Sequence, residues 1–143
     1  MHKLGALAAI VLFGLTQTAA AAEIDGNWSA LSNTATSITG DITVSEGEVT
    51  FSDNKSVKIE PVGTKEGDWT DFGGSMEGHI FKLETPADPE LLNGNKLCGM
   101  PGNPVTHLVL ATGDDGGLSL IVYTGDETPT PTSSPCSIFN YAR

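Results

Sequence analysis

Apolar residues recur at every second position in short segments of this chain, and turn-forming residues interrupt them at close intervals. Ile42 and Val44, Val49 and Phe51, and Val57 and Ile59 form three such sets. Successive side chains of an extended segment point to opposite faces, so each set gives one apolar face. Glu46-Gly47 and Asp53-Asn54 lie between the segments and include residue types that tolerate the positive backbone angles of tight hairpins. Residues 80–83 extend the series. Residues 105–111 and 118–123 are nearly continuous apolar runs flanking Thr112-Gly113-Asp114-Asp115-Gly116-Gly117, the clearest hairpin signal in the chain. Residues 137–141 set Phe139 and Tyr141 against Ile138, and follow a Thr/Pro stretch, 128–135, that reads as a stiff loop with surface mobility. Only residues 88–94 carry helix grammar, with Asp88 as N-cap, Pro89 in the first turn and Gly94 as a stop; one or two turns is all this allows. With a first strand near Trp28 the expectation is an all-β domain of about eight strands, a small antiparallel barrel or a tight sandwich.

The first residues read as an address. Residues 1–22 open with His2 and Lys3, continue through an apolar run and end in four alanines, the pattern of a secretory signal peptide. The apolar run is about 12 residues, against the roughly 20 a membrane-spanning helix needs. Cleavage is expected before Glu23, with a cut before Ala22 as the neighbouring option, leaving residues 23–143 as a single β domain. No cysteine follows the alanines to accept a lipid anchor, so the expected product is released into a bacterial periplasm or the medium. Disulfides persist there, and the two cysteines of the chain, Cys98 and Cys136, are expected to form one structural bond.

Charge narrows the partner classes. The chain has 18 acidic against 7 basic side chains, a formal charge of −11, and its single arginine is Arg143. Loss of the leader removes Lys3 and no acid, which makes the domain more acidic. Such a surface repels phosphate and excludes nucleic acid as a partner, while it steers toward cationic proteins.

The start of the expected mature chain, Asp25-Gly26-Asn27-Trp28, resembles the G-x-W start of lipocalins and of small bacterial β-barrel inhibitors of secreted proteases. That resemblance implies a lipocalin-like barrel with the tryptophan capping one end. Those inhibitors place cysteines soon after the tryptophan, whereas here the first is Cys98, so their inhibitory residues do not carry over. Four further stretches, Lys96-Leu97-Cys98-Gly99, residues 104–110, residues 120–125, and Cys136-Ser137-Ile138-Phe139-Asn140-Tyr141, look like small exported proteobacterial proteins of unassigned function.

No catalytic, cofactor-binding or metal-ligating set is picked out by spacing. After the leader only His79 and His107 remain as histidines, and zinc normally takes three or four ligands. Asp114-Asp115, or Asp68 with Asp71, offer oxygen atoms for calcium, without EF-hand spacing. Gly74-Ser75-Met76-Glu77-Gly78 lacks the spacing of a nucleophile elbow. Trp69 and Phe72, among Gly67, Gly73 and Gly74 and beside Asp68 and Asp71, have two alternatives: they face out as a contact patch with acidic edges, or they fold back as a lid over the barrel. Three functions follow from these features. The first is a non-catalytic binding or inhibitor-type module meeting a basic exported protein. The second is a carrier of a small apolar ligand in a barrel cavity. The third is a hydrolase using acids with His79 or His107.

Overall fold

A computed structural model of the chain describes residues 23–71 and 74–143. The leader, residues 1–22, and Phe72 of the expected patch lie outside the described residues. Eight strands run in order: β1 (Gly26–Ala30), β2 (Ile42–Ser45), β3 (Glu48–Thr50), β4 (Ser56–Gly67), β5 (Met76–Ala87), β6 (Val105–Thr112), β7 (Leu118–Thr124) and β8 (Ser137–Ala142). Each pairs antiparallel with the next, and β8 pairs with β1, so the sheet closes as an up-and-down barrel. Closure gives every strand a neighbour on both sides. The turns take the residues the sequence offers, with Gly47 at φ 78° between β2 and β3 and Asn54 at φ 68° before β4.

Lateral pairs show which residues face inward. Leu108 with Val122, Leu110 with Leu120, Leu120 with Phe139 and Leu118 with Tyr141 stack across β6, β7 and β8. They share one buried cluster with Trp28, Ile42, Val44, Val49, Phe51, Ile59 and Leu83. These side chains fill the barrel interior, as expected for a barrel this narrow.

The apolar runs of β6 and β7 are continuous because both faces of these strands are covered. Val109, Ala111, Ile121 and Tyr123 form a second buried cluster on the outer face with Trp69, Met76 and Ile80. Two segments lie against the barrel wall here. Trp69 sits over β5, where a Cβ at Gly78 would stand 2.3 Å from the ring nitrogen. The Thr/Pro stretch returns across the wall, with Pro129 buried and the Pro131 ring 2.4 Å from where a Gly67 Cβ would stand. The stretch expected to be a mobile loop is therefore a strap on the barrel, because its prolines supply apolar rings to a wall that needs cover.

Two further local readings are corrected. Residues 88–94 form a single 3-10 turn at Leu92–Gly94 with Leu91 before it, and Asn93 (φ 57°) and Gly94 (φ 73°) turn the chain away from helix. A π-helical turn at Ala35–Thr39, not legible in the sequence, bridges β1 and β2. The strands are also unequal. β3 pairs with β4 only through residues 56–58, whereas β4 and β5 remain paired as far as Gly67 and Met76. On its β3 side β4 thus runs on without a strand partner toward the end of the barrel where β1 begins, while β5 stays paired with β6 as far as Glu77.

That end is tied down by the last residue. The Arg143 guanidinium lies 4.1 Å from the centroid of the Trp28 ring and donates to the backbone carbonyls of Asp25 and Glu23. Trp28 Nε1 donates to the carbonyl of Ile24 at 2.8 Å. Residues 23–25 and Arg143 are held together beside one aromatic ring.

Candidate functional site

At the opposite end of the barrel the long connection from β5 to β6 folds into an anchored loop. Leu97 is buried in the core, and Cys98 is bonded to Cys136 with a Cα–Cα distance of 5.5 Å. Cys136 is itself fixed to the end of β7, its N–H donating to the Val122 carbonyl at 2.8 Å. The Asp88 carboxylate accepts backbone N–H groups from three successive residues, Leu97 at 2.7 Å, Cys98 at 3.2 Å and Gly99 at 2.7 Å. Asp88 is thus a loop anchor and not the helix cap its position implied, since three converging amides outbid a helix that Asn93 and Gly94 break. Hydrogen bonds to an ionised acceptor are about twice as strong as neutral ones.

Beyond this anchor, the Asn103 N–H donates to the Met100 carbonyl at 3.1 Å. Gly102 stands at φ 78°, and Pro101 precedes it. Proline then a positive-φ glycine at the two central positions is the requirement of a type II turn. Met100 sits at the start of that turn and is 48% exposed, one of the few large apolar side chains held in water. Asp88, Asn95, Lys96, Met100, Pro101 and Asn103 border a surface concavity of about 580 Å³.

No family model, curated protein or solved structure matches the chain.

Of the two alternatives for the expected contact patch, Trp69 folds back, though onto the outer wall of the barrel and not as a lid over its end. The ring is 3% exposed and its Nε1 donates to the Lys65 carbonyl at 2.9 Å. Glycine at 78 is what admits the ring, and the outer apolar wall is what holds it there. Asp68 and Asp71 are exposed beside it, without the aromatic centre a patch would need from Trp69.

The two histidines lie on opposite faces of the sheet. His79 pairs laterally with the inward Leu110, and His107 with Tyr123 of the outer cluster. They do not meet in one cleft. The His107 Nδ1 lies 2.9 Å from Thr106 Oγ1. Burial, assisted by the charge of Lys82 and opposed by Asp126, lowers its pKa, so this ring is neutral at pH 7. Asp115 accepts the Gly117 N–H at 2.9 Å and so serves its own turn.

His79, on β5, stands near the barrel mouth between Thr64 of β4 and Leu110 of β6. It is 5% exposed, its Nδ1 lies 3.4 Å from Thr64 Oγ1, and its Nε2 is buried with no hydrogen-bond partner among the described residues. Glu77 Oε1 is 3.7 Å from that nitrogen. The Glu23 carboxylate joins them, and one ligand atom from each residue falls within 4.8 Å of the others. Sequence spacing could not reveal this trio, because Glu23 is brought to β5 by tertiary contacts around Arg143 and Trp28. The three amides on Asp88 were equally hidden. The sequence signal there was an acid among proline, asparagine and glycine, the composition of an organised loop as much as of a helix start.

Proposed function

We propose that this protein is an exported, non-catalytic binding module of the inhibitor type that presents residues 99–104 to a basic exported protein. One observation carries the reading: the Asp88 carboxylate, the Cys98–Cys136 bond and the turn at Met100–Asn103 together hold an exposed apolar side chain in one place. A loop already ordered in its free state loses little entropy on docking, which is how rigid binding loops gain affinity. The net charge of −11 supports a cationic partner, through faster encounter and charge complementarity. A filled barrel interior and two histidines on opposite faces give the other two readings no comparable support.

The test is capture of exported proteins on the immobilised chain at low salt, with elution by salt. The reading expects a basic protein to be retained, released as salt screens the attraction, and lost when Met100 is replaced by Asp. Retention of no basic protein at low salt, or retention indifferent to Met100→Asp, overturns it.

A further inference from the structure

We infer that Glu23, Glu77 and His79 form a binding site for one divalent first-row transition ion at the barrel mouth. Three features of the structure point there. The donor atoms, one imidazole nitrogen and two carboxylate oxygens, lie within 4.8 Å of one another; the His79–Glu77 pair, at 3.7 Å, is near the roughly 3.3–3.6 Å between tetrahedral ligands with bonds of about 2.0–2.2 Å, and the flexible, exposed Glu23 side chain closes the remaining gap. The His79 Nε2 is buried and unpartnered although it faces this trio, and a buried polar atom without a partner costs free energy that a ligand would recover. The other ring nitrogen is turned toward the Thr64 hydroxyl. A proton on Nδ1, directed at that hydroxyl, leaves the lone pair on Nε2, the outer-shell arrangement that orients metal-bound histidine.

The donor set defines the ion class. Imidazole suits zinc, copper, iron and nickel, and carboxylates broaden the set without the all-oxygen cage that calcium or magnesium takes. Two carboxylates balance the charge of a divalent cation. Glu23 is exposed and the Glu77 side chain is 42% exposed, so the ion enters from solvent and keeps water in its remaining positions. Once bound it staples the segment before β1 to β5 at this end of the barrel.

The experiment is calorimetric titration of chelator-stripped protein with zinc alone, paired with thermal melts. One equivalent is expected to bind in a saturable step, and zinc is expected to raise the melting temperature. Glu23→Gln and Glu77→Gln, both at exposed positions that leave the core untouched, should each weaken binding at least about tenfold, since even outer partners of metal ligands are worth roughly 10–100-fold. His79→Gln should abolish binding, and Asp114→Asn, on the exposed turn between β6 and β7, should leave it unchanged. Circular dichroism of each variant confirms the fold before titration. No saturable binding to the folded protein overturns the inference. So does binding that neither Glu23→Gln nor Glu77→Gln weakens, or that Asp114→Asn weakens equally.

Discussion

Replacing Trp69 by Ala tests the placement of the ring against the outer wall. The ring is 3% exposed, packs in the cluster of Met76, Ile80, Val109, Ala111, Ile121 and Tyr123, and uses its Nε1 on the Lys65 carbonyl. Truncating a buried tryptophan costs about 3–5 kcal/mol. The ring closes the outside of the barrel, so solvent and the neighbouring Met76 can enter the space it leaves, which places the cost near 3 kcal/mol. For residues 23–143, an unfolding entropy of roughly 2.1 cal/mol/K per residue makes this a fall in Tm of about 12 °C. Gly78→Ala probes the same contact from the other side. Its Cβ would lie 2.3 Å and 2.4 Å from the Trp69 Nε1 and Cε2 atoms, an overpacking worth about 1–3 kcal/mol. In the double variant the Cβ enters vacated space, so the second substitution should cost close to nothing and the pair should be strongly non-additive. Thermal and urea unfolding of the four proteins measures the cycle. A fall in Tm under about 3 °C for Trp69→Ala would put the ring on the surface, and additive costs would mean that it does not cover Gly78.

Three further outcomes follow from the same geometry. Asp88→Asn should cost about 1–3 kcal/mol, because three backbone amides lose a charged acceptor, and should speed hydrogen exchange at Leu97, Cys98 and Gly99; unchanged exchange there would refute the anchor. Mass spectrometry should find the Cys98–Cys136 bond, and opening it should destabilise by up to about 3.9 kcal/mol from loop entropy, whereas two free thiols in native, non-reducing conditions would contradict it. Burial pushes the Tyr123 hydroxyl up to about 12 from 10.0. The folded state therefore holds this proton more tightly than the unfolded chain, so the contribution is intact below pH 10 and is lost as pH rises through 12. The slope is about 1.4 kcal/mol per pH unit for this group. Alkaline unfolding should shift to higher pH in Tyr123→Phe, which at pH 7 should be neutral or stabilising because the hydroxyl has no partner among the described residues; an unshifted transition would refute the assignment.

Period-two alternation made the barrel legible, because one face of each strand had to be apolar for the interior to fill. Ile42 and Val44, Val49, and Val57 and Ile59 lie in the strands their spacing implied. The full length of β4 was not legible, since Glu60, Lys65 and Glu66 lie past the reach of β3 on exposed backbone with no alternating apolar face. The outer cluster was encoded only as continuous apolar runs in β6 and β7, which say that both faces are covered without naming what covers them. Trp69 and the prolines supply that cover from elsewhere in the chain. The candidate sites escaped for a related reason. Asp88 acts on amides about ten residues away, and Glu23 reaches Glu77 and His79 only once the barrel has closed. Neither relation leaves a local pattern.

The anchored loop as a protein-binding element is tested most directly by placing a photo-activatable cross-linking side chain at Met100 in the living cell. Val62, on the bulge of β4, is exposed to the same 48% and serves as the control position. Illumination should join position 100, and not position 62, to a basic exported protein. No adduct from position 100, or the same adducts from both positions, would contradict the account.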